Sequence, residues 1–226
     1  MTDQVLFVAI PYAAVIMAVV MTGYRYRNNR FSYSSLSSQL LENHMLSWAS
    51  VTWHYAILLI LAAHVLAALF PEAWAALLGG QFRLYLIEST GMGLALLAMI
   101  GIGLFVWRRL ANPRVRVVTS TGDWILLVAL LVQVVLGFAT AFVYRWGALW
   151  YLRTAAPWLQ SLIQLEPDTS YVTMLPWLVK LHFVTGFGII ALVPFTRLSH
   201  ALVIPVEYLW RPYRVIIWNR RQALRK

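Results

Sequence analysis

Five long runs of apolar residues restrict the fold of this chain more than any other feature of its sequence. They lie at about 5–24, 51–70, 84–107, 124–144 and 179–204, and each is long enough to cross the hydrocarbon core of a bilayer as a helix. Because that core offers no water to unpaired backbone groups, only helices or closed barrels can span it. Barrel strands are shorter and alternate in polarity, so these unbroken runs predict helices.

The composition and the short connections predict one membrane domain rather than several soluble ones. Of the 226 residues, 61% are hydrophobic and 12% are charged, which lies outside the usual range of a soluble domain. We therefore expect a single domain over 1–226, an all-α polytopic bundle of five transmembrane helices. The chain has no cysteine, so any iron–sulfur cluster that works with it must be held by a partner.

The basic residues predict the orientation of the chain. The net charge is +10, yet the charges sit at the ends of the apolar runs and not along one soluble face, so no nucleic acid partner is expected. Fourteen of the 18 Lys and Arg residues follow the first, third and fifth runs or, as Arg197 does, lie near the end of the fifth. By the positive-inside rule, that side is cytoplasmic. We therefore expect a multi-pass protein of the cell (inner) membrane with its N-terminus outside and its C-terminus in the cytoplasm. Asp3, where a secretory signal would be basic, predicts that the first run is retained.

Two connections have recognisable compositions. The connection 145–176 is interrupted by Pro157, Pro167 and Pro176, which predicts short pieces, with room for a surface helix, rather than a sixth span. The serine-rich segment 31–38 resembles a linker.

Four of the five histidines lie in just two of the runs. His54 and His64 belong to the second run, and His182 and His200 belong to the fifth. An ionisable side chain inside a membrane is costly and usually has a partner, and imidazole is a common axial ligand of haem iron. Four histidines can hold two b haems between the second and fifth helices. The fifth histidine, His44, is predicted to be a solvated or interface residue.

The depth of each histidine in the membrane predicts how the four are paired, because the two ligands of one haem must lie at the same height on neighbouring helices. At 1.5 Å per residue, the two histidines of the second run are about 15 Å apart and those of the fifth about 27 Å apart. The runs are antiparallel, so His54 pairs with His200 and His64 pairs with His182. A continuous fifth helix would put both of its histidines on one stripe, although Pro194 predicts a kink. The alternative is that the histidines are packing residues or members of a proton relay.

Four further residues are candidates to support these ligands. Ser50 and Thr196 each precede a candidate ligand by four residues and could orient an imidazole nitrogen. Gly186 could give a macrocycle room, or could serve ordinary helix packing. Arg197 could contact a haem propionate, or could extend toward the headgroups.

Three stretches carry a family resemblance. The segments 37–64 (SSQLLENHMLSWASVTWHYAILLILAAH), 112–124 (NPRVRVVTSTGDW) and 181–209 (LHFVTGFGIIALVPFTRLSHALVIPVEYL) resemble the cytochrome b, or γ, subunit of membrane-bound respiratory nitrate reductase. The resemblance implies the same ligand pairs: His64 and His182 for the iron of an outer, distal haem, and His54 and His200 for that of an inner, proximal haem.

The resemblance also implies a function. In that family, quinol is oxidised near the outer haem, and electrons pass inward to an iron–sulfur (beta) subunit and then to a molybdenum (alpha) subunit on the cytoplasmic side. Iron–sulfur clusters and the molybdenum cofactor are therefore expected on partners only. The family's quinol pocket uses a lysine early in the third span, where this chain reads QFRLYLIEST. Arg83 and Tyr85 are the candidates to replace it, and Glu88 is a candidate proton acceptor or a headgroup-exposed residue.

Two other interpretations remain open at the level of sequence. An equivalent dihaem subunit could serve a nitrite-oxidising or sulfur-metabolism membrane complex, since the soluble partner determines the substrate. A haem-free anchor with a histidine proton relay is a different class of protein, and a reduced-minus-oxidised spectrum distinguishes it from the first.

Overall fold

A computed structural model describes residues 2–28 and 41–202, and the regular structure of these residues is entirely helical. The all-α prediction is confirmed for this part of the chain. The helices in chain order are α1 (Thr2–Asn28), α2 (His44–Leu69), α3 (Pro71–Leu78), α4 (Gln81–Ala111), α5 (Pro113–Val117), α6 (Thr121–Val143), α7 (Gly147–Arg153), α8 (Ala155–Ile163), α9 (Ser170–Thr173) and α10 (Trp177–Leu192). Two 3-10 turns follow, Val193–Phe195 and Arg197–Leu202.

Five of these helices are long and apolar enough to cross a membrane, as predicted: α1, α2, α4, α6, and α10 with the first 3-10 turn. Hydropathy placed some boundaries too far inward. Helix α2 begins at His44 and not near residue 51, because the Glu42 carboxylate accepts hydrogen bonds from the Met45 amide at 2.7 Å and the Leu46 amide at 3.2 Å. The predicted linker 31–38 and the last two residues of the predicted fifth span lie outside the described residues.

Two ion pairs and one hydrogen bond from an arginine connect the helix ends that meet at one end of the bundle. The guanidinium of Arg108, near the end of α4, binds Glu42 just before α2, with 2.6 Å between Nε and Oε2. Arg197, beyond α10, binds Asp123 in the first turn of α6. Arg25, near the end of α1, donates to the carbonyl of Pro194. We call this the basic end; its groups are Arg25, Glu42, Arg108, Asp123, Pro194 and Arg197.

Short helices, hydrogen bonds and an ion pair of Lys180 with Asp3 at 3.1 Å build the other end, which we call the opposite end and which comprises α3, α7, α8 and α9. The indole of Trp158 in α8 donates to the Phe7 carbonyl of α1 at 3.0 Å, within a π-helical segment of that helix. The amide of Gln160 donates to the Ala68 carbonyl of α2, also at 3.0 Å. The connection 145–176 therefore consists of short helices packed on the bundle, as predicted.

The apolar core joins α2, α4 and α6. Trp53, Ala56, Ala98, Ile102 and Leu127 belong to one buried cluster. The backbones of α2 and α4 approach closely at Gly101, where a Cβ would lie 2.7 Å from the backbone nitrogen of Trp53. This close approach fixes the height of α2, which carries two of the candidate ligands.

The expectation that the fifth span is one continuous helix is wrong. Helix α10 ends at Leu192, and Pro194 stands in a 3-10 turn followed by extended backbone at Thr196 (φ −124°, ψ −179°). His200 lies in the second 3-10 turn. Proline lacks the amide hydrogen that the next helical turn needs, so the predicted kink is a full break. The single histidine stripe and the about 27 Å separation of His182 and His200 both assumed an α-helix throughout, and the chain has none after Leu192 within the described residues.

Candidate functional site

His54 and His200 face each other near the basic end. Their ring centroids are 6.1 Å apart, with an angle of 67° between the ring planes. Nδ1 of His54 lies 2.7 Å from the Ser50 carbonyl oxygen, and Nδ1 of His200 lies 2.5 Å from the Arg197 carbonyl oxygen. With the protons on Nδ1, both rings donate to the backbone and leave the lone pair of Nε2 for a metal.

The separation of these two rings fits axial ligation of a metal held between them. Two metal–imidazole bonds of about 2 Å, with the distance from each nitrogen to its ring centre added, put opposed imidazole centroids about 6 Å apart. The donor set and the spacing of His54 and His200 therefore suit a bis-histidine haem. That these residues ligate haem stays a prediction.

The two expected hydroxyl supports have different outcomes. The Ser50 hydroxyl lies 3.2 Å from Nδ1 of His54, beside the carbonyl of the same residue. The expectation for Thr196 is wrong, since its hydroxyl donates to the Leu192 carbonyl at 2.8 Å and the imidazole of His200 uses Arg197 instead. The break at Pro194 explains this, because the four-residue spacing of an α-helix no longer applies there.

His64 is fixed by its own helix and by α7. Its Nδ1 lies 2.8 Å from the Ile60 carbonyl oxygen. The ring of Tyr151 contacts the imidazole edge-on, with the centroids 5.6 Å apart, and the Tyr151 hydroxyl donates to the His64 carbonyl at 3.1 Å. Burial raises the pKa of Tyr151 to about 12, so the phenol remains a protonated donor at neutral pH.

His182 is held differently, because it faces helix α6. Its imidazole lies against Gly137, and its backbone carbonyl accepts a hydrogen bond from Gln133 at 3.2 Å. Its Nδ1 is buried and has no hydrogen-bond partner in the part of the chain that the structure describes. The structure thus brings His54 and His200 together, as the depth argument predicted. The pairing of His64 with His182 and the haems themselves remain predictions.

Arg197 has a defined carboxylate partner. Its Nε lies 2.5 Å from Oδ1 of Asp123 and its terminal nitrogen 3.0 Å from Oδ2, in a two-point ion pair. Asp123 is 5% exposed and also accepts from the Ser120 amide at 3.0 Å, which caps α6. The pair therefore joins the turn that carries His200 to the start of α6. The propionate contact of Arg197 stays a prediction.

Two of the three candidate quinol residues contact the start of α7 or the residue just before it. Tyr85 packs edge-on against Trp146, with the ring centroids 5.1 Å apart. The Glu88 carboxylate accepts a hydrogen bond from the Ala148 amide in the first turn of α7 at 2.7 Å. Because α7 also carries Tyr151, a short helix connects these candidates to His64. A quinol role for them stays a prediction.

Arg83 lies on another side of the same region. Its guanidinium packs beside Gly79 and Gly80. Gly79 lines a cleft of about 400 Å³ between α3 and α7. The cleft is lined by Pro71, Glu72, Ala75, Leu78, Gly79, Leu149, Leu152 and Arg153. This cleft is open to the surface, and its lining is mostly apolar with the charged side chains of Glu72 and Arg153.

Sequence reasoning overlooked three residues beside the candidate ligands: Gln133, Gly137 and Tyr151. Gln133 carried a usable signal, since it is the single amide side chain in the apolar helix α6, and a polar group at such a position needs a partner. Gly137 and Tyr151 carried none, because their roles depend on which helix packs opposite them.

Comparisons with known proteins found one matching family model and several relatives. A family model described as nitrate reductase gamma subunit matches residues 3–219. The nitrate reductase gamma chain of Bacillus subtilis is 31% identical over 226 residues, which cover 98% of this chain and 100% of that protein. The respiratory nitrate reductase 1 gamma chain of Escherichia coli is 30% identical, with 91% of this chain and 93% of that protein covered. A nitrate reductase-like protein, NarX, of Mycobacterium tuberculosis is 29% identical over 99% of this chain and 35% of its own length.

Proposed function

The chain belongs to the nitrate reductase gamma subunit family, and from that premise we propose that it oxidises membrane quinol and passes the electrons through two b haems to an iron–sulfur subunit. The observation that carries the proposal is the facing pair of His54 and His200, 6.1 Å apart, each with Nδ1 bound to a backbone carbonyl. This pair sits in one of five helices apolar enough to span a membrane and in the turn that follows another.

The four histidines are the proposed haem ligands. His54 and His200 would hold the iron of the proximal haem, and His64 and His182 that of the distal haem. Bound there, the haems would supply one-electron redox centres at two heights of the bundle. The protein's part is to hold the imidazoles: hydrogen bonds from Nδ1 of three of them to backbone carbonyls fix ring orientation and direct Nε2 outward.

The basic end is the proposed cytoplasmic face, where the iron–sulfur (beta) and molybdenum (alpha) subunits would dock. Support comes from the excess of Arg and Lys after the first, third and fifth spans. His54 and His200 lie toward this end, so the pair nearest the partner would be the proximal one. Nitrate would then be reduced on the alpha subunit.

The opposite end is the proposed quinol site. Oxidation of a quinol to a quinone releases two electrons and two protons, so the site needs a proton acceptor near the distal ligands. Glu88 holds the Ala148 amide with Oε1, which leaves Oε2 to accept from a quinol hydroxyl. Tyr85 and Arg83 border the same region, and the cleft beside Gly79 offers space for the apolar part of the ligand.

Two spectra test this proposal. Dithionite-reduced minus oxidised spectra of the purified protein should show b-type bands from two haems per chain. A water-soluble quinol analogue should reduce the same bands, and Glu88→Gln should slow that reduction about tenfold or more, while Glu166→Gln, at an exposed acid of the connection 145–176 outside the cleft, should not. Absence of b-type bands would remove the haem function, and equal rates for both variants would remove Glu88 from the site.

A further inference from the structure

We propose that helix α6 positions the ligand His182 through two residues: Gly137, which admits the imidazole, and Gln133, which fixes the backbone of α10. The inference rests on the proposed role of His182 as a haem ligand and adds residues that the two-helix description of the site leaves out. Its starting point is the contact between α6 and α10.

Two reciprocal pairs make up this contact. A Cβ at Gly137 would lie 2.9 Å from Cε1 of His182, closer than real side chains approach. A Cβ at Gly186 would lie 3.2 Å from Nε2 of Gln133. Each helix thus presents one large side chain and, four residues later, a glycine, and the antiparallel helices match the large residue of one with the glycine of the other. The match sets both the register and the closeness of α6 and α10.

Gln133 turns this packing into a specific attachment. Its amide nitrogen donates to the His182 carbonyl at 3.2 Å, and its amide oxygen accepts from the Thr185 hydroxyl. The same hydroxyl lies 2.8 Å from the Leu181 carbonyl oxygen. A polar amide within an apolar helix is costly when it has no partner, so these bonds strongly favour one register. The residue that receives the amide hydrogen bond is the candidate ligand itself.

His182 also needs this support more than the other candidate ligands do. His54, His64 and His200 each have Nδ1 within 2.8 Å of a carbonyl oxygen three or four residues earlier in the chain. Nδ1 of His182 is buried with no hydrogen-bond partner among residues 2–28 and 41–202. Its orientation therefore depends on the neighbouring helix and on the space left by Gly137.

Alanine scanning of glycines gives a matched test. Gly137→Ala should reduce the haem content from two to about one per chain, with loss of the distal haem. Gly188→Ala is the control, because a Cβ there meets nothing within 4 Å and the residue lies in the same helix as His182. The readouts are haem content per chain and the low-spin ferric EPR signal of each haem, with His182→Ala as the reference for loss of the distal signal.

A second variant keeps the test decisive if Gly137→Ala fails to accumulate in membranes. Gln133→Leu should retain both haems and shift the EPR signal and midpoint potential of the distal haem alone, and Thr185→Val should shift them in the same direction by less. Gln160→Leu is the control, because it removes a hydrogen bond from a side-chain amide to a carbonyl of α2 at the opposite end. It should change the distal signal less than Gln133→Leu does.

The failures are distinguishable. A wild-type protein without b-type bands would overturn the haem function and this inference with it. Two haems in the wild type, with the distal signal of both Gly137→Ala and Gln133→Leu identical to that of Gly188→Ala, would overturn the role of α6 alone. Equal shifts of both haem signals in Gln133→Leu would also overturn it, since general loosening and not ligand positioning would then be the cause.

Discussion

The two ends of the bundle hold their histidines by different physical means. At the basic end, two ion pairs attach the segments around His54 and His200, Arg108 to Glu42 and Arg197 to Asp123, and each pair has one buried member. At the opposite end, Trp158, Gln160 and the Tyr151 that contacts His64 donate hydrogen bonds to backbone carbonyls. The ion pair of that end joins the partly exposed side chains of Lys180 and Asp3. The proximal ligands should thus respond to charge, and the distal ligands to packing.

This difference also fits the proposed positions of the partners. A charged end that is already paired internally presents a defined surface to a soluble subunit, because its arginines are fixed by carboxylates. An end made of short helices around a cleft would suit a quinol that is dissolved in the bilayer. The contrast between the ends therefore predicts unequal effects of similar substitutions.

The largest effect is expected from Glu42→Leu at the basic end. Arg108 is 1% exposed and loses the carboxylate that compensates its charge, while α2 loses the acceptor for its first amides. Removing one partner of such a pair should lower the free energy of unfolding by about 3 kcal/mol. Thermal unfolding in detergent measures this, with the exposed Glu166→Leu as control. Equal midpoints for the two variants would show that the charged pair does not hold this end.

A somewhat smaller and more local effect is expected from Arg197→Leu. The change breaks the two-point ion pair with Asp123 and frees the turn that carries His200, at a cost of about 2 kcal/mol. We expect weaker binding of the proximal haem with the distal haem retained, measured as haem content and reduced-minus-oxidised spectra. Arg197→Lys keeps the positive charge but cannot make both hydrogen bonds of the guanidinium to Asp123, so it should recover only part of the haem content. Loss of the distal haem instead would contradict the assignment of the two ends.

Trp158→Phe probes the opposite end. Trp158 is 1% exposed; the substitution keeps a ring on Phe183 but removes the indole hydrogen bond to the Phe7 carbonyl, and should cost about 1 kcal/mol. The π-helical segment of α1 should exchange its amide hydrogens faster, while the segment around Glu42 does not change. Hydrogen exchange measured by mass spectrometry compares the two segments. Faster exchange at both would mean that the ends are not independent.

The smallest effects are expected from pH, through Glu42 at the basic end and Tyr151 at the opposite end. Desolvation acts to raise the pKa of Glu42, but hydrogen bonds from the Met45 amide, Arg108 and the Leu46 amide hold it below its ordinary 4.5. Its contribution to stability is therefore complete above pH 4.5 and is lost as the pH falls through the lowered value. Burial raises the pKa of Tyr151 from 10.0 to about 12, so its contribution is complete below pH 10 and is lost as the pH rises toward 12.

Two variants test whether Glu42 and Tyr151 are the groups that cause these losses of stability at acid and at alkaline pH. Glu42→Gln should flatten the acid side of a plot of unfolding temperature against pH, and Tyr151→Phe should flatten the alkaline side. An acid side that is unchanged in Glu42→Gln would remove Glu42 as the titrating group.

The number of spans and the approach of His54 to His200 could be predicted from sequence, because both depend on apolar length and on the alternation of antiparallel helices. The course of the chain after Leu192 could not. Pro194 signals a disturbance, but whether a helix bends or ends depends on tertiary contacts such as that of the Arg25 side chain with the Pro194 carbonyl. Thr196 was assigned a role on helical spacing, which the break removed.

The support of the ligands was also beyond the sequence. Gln133 is visible as an isolated polar residue, yet its partner is a backbone carbonyl of another helix, and the sequence does not show which carbonyl faces it. Gly137 has meaning only once His182 is known to lie opposite. Glu88 and Tyr85 were identified as candidates, but their shared contact with α7 depends on how the connection after α6 folds back.

The most direct test of the central claim is the haem content of double histidine variants. If His54 pairs with His200 and His64 with His182, then His54→Ala/His200→Ala should retain one b haem per chain, and His54→Ala/His64→Ala should retain none. Retention of one haem by the second variant and none by the first would show that the ligands are paired along the helices and not across them, which contradicts the account.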